Sequence, residues 1–233
     1  ASLLLENNRG LDLAKKLCQE ASRIDPTAAR SQLILGDVLY KEGDFDKALF
    51  HYDRAVKLAP DDPRALNNSG LVLIEKGNLD GAAMNFSRAL DCSTIFPQAH
   101  NNLGNVYRLK GNYSLQNKEY ESFFLLANSA LKSYERAIQI QPAYPDALNN
   151  IGLVELDLNN PERAIQNFEK ALSVDPSNAS TYGNLAMAFV SLNRSADAEN
   201  CLKKSLKLEP KFVNAHEKYA NLLAARGDLE SAI

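Results

Sequence analysis

Cysteine and histidine are scarce, with three of each among 233 residues. Cys18, Cys92 and Cys201 are odd in number and far apart. That excludes a disulfide framework, and they read instead as small buried apolar residues in a reducing compartment, cytoplasmic or nuclear. His51, His100 and His216 stand in no metal-ligand spacing with cysteine or carboxylate. Neither a phosphate-cradling glycine-rich loop nor a nucleophile elbow occurs. No catalytic residue, metal or cofactor is therefore expected, and the chain reads as non-enzymatic. An excess of positive charge is also missing: net charge is -3 and the pI about 5.7, which argues against the basic stripe of a nucleic-acid surface. No apolar run reaches the length of a membrane span. Ala1-Ser2-Leu3-Leu4-Leu5 lacks the basic start of a signal peptide.

Apolar residues, by contrast, make up 45% of the chain, enough for a continuous core. They recur with a period of 34 residues, and a period of that length marks a repeat architecture. Let the recurrent glycine be position 8, filled by Gly36, Gly70, Gly104, Gly152, Ala186 and Ala220. Position 20 is Ala14, Ala48, Ala82, Ala130, Ala164, Ala198 and Ala232, and position 27 is Ala21, Ala55, Ala89, Ala137, Ala171 and Ser205. Position 24 is bulky: Tyr52, Phe86, Tyr134, Phe168 and Leu202. Small residues at 8, 20 and 27 let two helices approach closely, and the large one at 24 fills the space beside them. Gly43, Gly77, Gly111, Asn159, Asn193 and Gly227 fall between the two helices, where a left-handed cap residue is wanted. Pro26, Pro60, Pro142, Pro176 and Pro210 end the second helix, with Thr94 in that place once.

This pattern resembles the tetratricopeptide repeat (TPR). The resemblance implies an all-α, right-handed superhelix, an α-solenoid of about six repeats. Residues 9–25 would hold a half repeat; 29–62, 63–96, 97–144, 145–178 and 179–212 complete ones; and 213–233 a partial one. Each unit buries its apolar face only against its neighbours. With no polar capping helix at the end, this single array is expected to be part of a longer protein.

By the same resemblance the first helices line a concave groove. Position 6 is Asn68, Asn102, Asn150 and Asn184; position 5 adds Asn67, Asn101 and Asn149, and position 9 adds Asn105. An amide is both donor and acceptor, so a ladder of them suits the backbone of an extended peptide. Arg64 and Arg108, with Arg30, place cations toward the N-terminal half, and Leu71, Ile74, Leu153, Leu156, Met187 and Val190 supply an apolar floor. The expected function is a protein–protein interaction scaffold with a protein or peptide partner. The Leu-Asn-Asn-x-Gly pattern is also similar to the superhelix of O-linked N-acetylglucosamine transferases, which offers a second reading as the substrate-recognition arm of such an enzyme. The chaperone-type carboxylate clamp of the family is not matched, because Ser180 and Asn184 stand where its third repeat needs cations.

One repeat is longer. Gly104 to Ala130 is 26 residues where the others have 12, an insertion of 14 placed at Ser114–Ala127. With Gly111-Asn112-Tyr113 kept as the turn, the spacing predicts a second helix from near Asn117 or Lys118 to Ile140 that projects beyond its neighbours. Tyr120, Phe123 and Phe124 then form an aromatic stripe on it. Such a stripe is a docking surface or a self-association seam, unless it folds back over adjacent repeats.

Overall fold

The computed structural model describes residues 8–225. The Gly227 cap and Ala232 lie outside them. Twelve helices and no strand are found among the described residues: Asn8–Ile24 (α1), Ala29–Lys41 (α2), Phe45–Leu58 (α3), Pro63–Glu75 (α4), Leu79–Cys92 (α5), Pro97–Gln116 (α6), Tyr120–Ile140 (α7), Pro145–Asp157 (α8), Pro161–Val174 (α9), Ala179–Ser191 (α10), Ser195–Leu208 (α11) and Val213–Ala225 (α12). The fold is all-α, as expected. The residues form two compact units divided within α6, after Lys110, and each is described by itself.

The ends of the helices follow from local chemistry. Asp44, Asp62, Asn78 and Asn178 accept a backbone N–H of the first turn of α3, α4, α5 and α10. Ala59, Gln141, Asp175 and Glu209 stop α3, α7, α9 and α11 with ψ between 80 and 89°. Each precedes a proline, whose ring disfavours the helical region for the residue before it. The reversals inside the hairpins turn on Gly43, Gly77, Lys118, Asn159 and Asn193, all at φ between 57 and 78°.

In the first unit, α2 packs on α3 and α4 on α5; in the second, α8 packs on α9 and α10 on α11. Each pair closes on one contact. A Cβ built on Gly70 would lie 2.6 Å from Phe86 Cε1, and one on Gly152 would lie 2.5 Å from Phe168 Cε1. Gly36 faces the Tyr52 ring in the same way. Where position 8 is Ala186, the facing residue is the smaller Leu202, in one apolar cluster with it. Ser205, the one serine at position 27, is fully buried and satisfies its hydroxyl on the Ala179 carbonyl at 2.8 Å.

The long repeat departs from expectation. Gly111, Asn112 and Tyr113 are helical, and the turn lies at Asn117-Lys118-Glu119. Its hydrogen bonds, Lys118 N–H to Leu115 C=O and Glu119 N–H to Ser114 C=O, repeat those of Gly43 to Tyr40 and Asp44 to Leu39. The insertion is thus divided: α6 has 20 residues against 13 in α2, α4, α8 and α10, and α7 has 21 against 14 in α3, α5, α9 and α11. Seven residues lengthen each helix by about 10 Å at roughly 1.5 Å per residue. Gly111 serves as a close-approach residue, with Leu126 Cβ and the Phe123 ring 3.5 and 3.7 Å from where its Cβ would be.

The glycine–ring contacts generate a prediction. Gly152→Ala improves helix propensity but drives a methyl into Phe168, and is expected to lower stability in urea unfolding by about 1–3 kcal/mol. Adding Phe168→Leu, which copies the Ala186–Leu202 pair, should recover much of that loss. Additive costs in the double mutant would refute the pairing.

Candidate functional site

The first helices stack on one another: α2 on α4 in the first unit, and α8, α10 and α12 in succession in the second. In the first unit a chain of side-chain hydrogen bonds crosses them. Asn102 Nδ2 on α6 donates to Asn67 Oδ1 on α4 at 3.0 Å, and Asn67 Nδ2 donates to Asn68 Oδ1 at 3.0 Å. Asn68 Nδ2 donates to Asp37 Oδ1 on α2 at 2.9 Å, and that oxygen also takes the Tyr52 hydroxyl at 2.9 Å. The second unit carries a shorter chain. Lys218 Nζ on α12 lies 3.3 Å from Asn184 Oδ1 and 3.4 Å from the Gly183 carbonyl oxygen, and Asn184 Nδ2 donates to Asn149 Oδ1 at 3.1 Å.

The two ends settle which way the amides point. Asp37 accepts only and Lys218 donates only. Asn68 must therefore offer its N–H to Asp37, which turns its oxygen to Asn67 and the Asn67 oxygen to Asn102. Asn184 must show its oxygen to Lys218 and its N–H to Asn149. In both units donation between helices runs from the later repeat to the earlier one.

Burial holds the Asp37 carboxyl above the ordinary carboxylate range, against the opposing pull of the Tyr52 and Asn68 hydrogen bonds. Burial and the neighbouring Asp37 charge push the Tyr52 phenol up, and burial draws the Lys218 ammonium down. Asp37 and Asn68 stand between two open clefts. One, of about 240 Å³, is lined also by Tyr40, Lys41, Tyr52 and Leu71; the other, of about 370 Å³, by Arg30, Arg64, Phe96 and Gln98 among others.

The sequence-derived site residues divide. Asn68, Asn102, Asn105, Asn149, Asn150 and Asn184 are half-buried on these helices, and Asn101, Asn105 and Asn150 make further interactions of their own. Asn67 and Asn101 are buried, so position 5 in the first unit faces between helices rather than outward. Arg64 is exposed but committed, with Nε and Nη2 both on the Asp62 carboxylate that caps its helix, at 2.9 and 2.6 Å. Arg108 is half-buried, and its Nε has no hydrogen-bond partner among the described residues. Phe123 is not available for docking: it is 4% exposed, packed beside Gly111, while Tyr120 and Phe124 are 56% and 53% exposed. Tyr113, Leu115 and Leu125, which spacing does not single out, are exposed as well. Cys92 is exposed rather than buried; Cys18 and Cys201 are buried, with both thiols raised by it. Asp37 and Lys218 were missed. The signal was present, since Asp37 shares position 9 with Asn105, and Lys218 occupies position 6, where four other repeats have asparagine.

His100 and His216, at one repeat position, each place Nε2 on the carbonyl six residues earlier, Thr94 and Pro210. No group of three or more metal-ligating side chains occurs among the described residues. Nor is any described helix long and apolar enough to cross a membrane.

Models of the tetratricopeptide repeat match residues 36–77 and 128–158, 145–178 and 184–233, together more than half of the chain. Over 65 residues the chain is 34% identical to the heat shock protein sti1 homolog of Schizosaccharomyces pombe, a stretch that is 28% of this chain and 11% of that protein. Among solved structures it is similar to a thermophilic TPR protein of Thermus thermophilus, with 25% identity and a TM-score of 0.73 over 84% of this chain and 100% of that one. The APC/C hetero-tetramer Cut9–Hcn1 shares the fold at 17% identity and a TM-score of 0.80, over 95% of this chain and 42% of that one. YrrB, a TPR protein with an unusual peptide-binding site, does so at 20% identity and 0.58, over 90% and 97%.

The Asp37 hub has a measurable pH signature. A carboxyl whose folded-state pKa is raised holds its proton more tightly in the fold, so it favours folding as pH falls through the raised value and opposes folding above it. Asp37→Asn keeps an acceptor for Tyr52 and Asn68 without the charge. Its stability at neutral pH should equal or exceed the parent's, with a flatter profile between about pH 4 and 8. Asp37→Ala strands the Tyr52 hydroxyl and should cost about 1–3 kcal/mol. Urea unfolding across that range decides it; equal losses for both variants would show that the charge itself is required.

Proposed function

We propose that this chain, which belongs to the tetratricopeptide repeat family, is a protein–protein interaction scaffold whose first helices take an extended polypeptide along their amide-bearing face. The observation that carries this reading is the oriented hydrogen-bond ladder. Each asparagine has two N–H donors and a carbonyl with two lone pairs. The ladder engages part of that capacity sideways, which holds Asn68, Asn102 and Asn184 in one orientation while their half-exposed edges remain open to a ligand. Amides fixed in advance lose little freedom on binding. An extended backbone alternates donor and acceptor, and an oriented amide meets both without reading side chains.

A second contact is assigned to the lengthened repeat. Tyr120 and Phe124 begin α7, and Tyr113 and Leu115 end α6; all four are exposed. In α7, Phe124, Leu131 and Ile138 recur every seven residues on one face, but only the latter two are partly covered. The stripe therefore continues a packing surface past the point where the fold covers it.

Binding of end-blocked peptides from a random library, measured for the parent and for Asn68→Ala/Asn102→Ala and Asn184→Ala, tests the first part. Loss of two ladder amides should weaken capture about tenfold, at roughly 0.5–1.5 kcal/mol per hydrogen bond. Variants that melt like the parent and bind peptides equally well would sink the reading. Tyr120→Ser/Phe124→Ser should leave peptide capture intact and remove a separate set of protein partners.

A further inference from the structure

We propose that Lys218 and the apolar cleft beside it form a subsite on this face for an acidic side chain within a bound peptide, with the cleft receiving the bulky apolar residue next to it. The inference rests on the peptide-binding reading above and names one element of the ligand. Position 6 is an amide in four repeats and an ammonium here. That ammonium is half-buried, and its neighbours are neutral oxygens at 3.3 and 3.4 Å, the long end of the hydrogen-bond range. It makes no ion pair among the described residues; the pairs found there join other groups, such as Lys203 with Glu199. A cation taken out of water without a counter-ion is unfavourable, and burial accordingly lowers its proton affinity. A carboxylate arriving from a ligand would supply what the described residues do not.

The cleft that Lys218 borders has a volume of about 290 Å³. That is near the lower limit of roughly 300–1,000 Å³ for ligand pockets, and suits one large side chain. Its walls are Ala186, Met187, Val190, Leu202, Leu222 and Ala225. Met187 and Val190 are 45% and 47% exposed, so apolar surface lies open within reach of the charge. Asn221, at position 9, also lines the cleft and offers an N–H to the same anion. Lys218 is the one charged residue among the described residues of that lining. A single ammonium matches one side-chain carboxylate on a chain whose backbone is held by the amides, rather than a free chain end.

Two peptides, acetylated and amidated and differing only as Glu-Leu against Gln-Leu at the centre, are compared by fluorescence anisotropy at low salt. The parent should bind the glutamate peptide at least about tenfold more tightly, as the carboxylate gives the ammonium an ion pair where the glutamine amide gives only a neutral acceptor. Lys218→Met should erase that difference, and Lys218→Glu should favour a Lys-Leu peptide. Equal binding of the first two peptides to the parent overturns the subsite but leaves the peptide-binding face standing, as does a preference that survives in Lys218→Met. Tighter binding of a glutamine peptide with a free C-terminal carboxylate overturns the side-chain assignment. Capture of no peptide at all removes the face-binding reading and the subsite with it.

Discussion

The structure depends on a contact in which one partner has no side chain. Gly36, Gly70 and Gly152 each lie under the ring of a residue 16 positions later, Tyr52, Phe86 and Phe168, closely enough that a Cβ would overlap it. The three rings are almost fully buried. This is costly at the level of the single helix, since glycine weakens a helix by roughly 0.5–1 kcal/mol relative to alanine. It is recovered because the hairpin closes to the distance at which the alanines at positions 20 and 27 also meet their neighbours. Ala186 with Leu202 shows the rule is about summed volume, not glycine: a methyl is added on one side and an aromatic ring is replaced on the other.

The polar ladder inherits that spacing. Its asparagine links between helices join position 6 of one repeat to position 5 of the preceding one, Asn102 to Asn67 and Asn184 to Asn149, 35 residues apart in both cases. Such a link forms only where consecutive first helices stand at a constant separation, and the repeated close approach within each hairpin sets that separation. The ladder also needs ends. An all-amide chain could point either way, and an acceptor-only group at one end or a donor-only group at the other removes the choice. Asp37 does this in one unit and Lys218 in the other, so two charged residues define the orientation of the amides that meet them.

Much of this was legible before any coordinates. The period, the small–large pairing, the prolines and the left-handed turn residues are local or strictly periodic signals, and among the described residues the helices stop and reverse where those signals stand, except at Gly111. What the sequence left open has two physical sources. The first is the face of a residue: Asn67 and Asn68 are adjacent and chemically identical, yet a rotation of about 100° per residue buries one and half-exposes the other. The second is a break in the period. Gly111 sits one repeat after Gly77, where it matches the cap pattern, and a glycine that serves as a cap is indistinguishable in sequence from one that admits a neighbouring helix. Phe123 decides between them by packing at that glycine, a contact that only the fold brings about.

The division of the insertion follows from helix geometry. Seven residues turn a helix through almost two full turns, leaving the faces misaligned by only about 20°. Adding seven to each helix therefore keeps both of their packing faces and moves the reversal outward as a unit, with its three backbone hydrogen bonds intact. Placing all 14 in the second helix would have preserved its own face nearly as well, but about its first four turns would have had no partner, and Phe123 would have been exposed. The paired extension covers that ring and leaves Tyr120 and Phe124 beyond the cover. The apolar patch is thus a consequence of antiparallel pairing: two helices lengthened together bury the side that each presents to the other, and the aromatic residues on the remaining side are left uncovered.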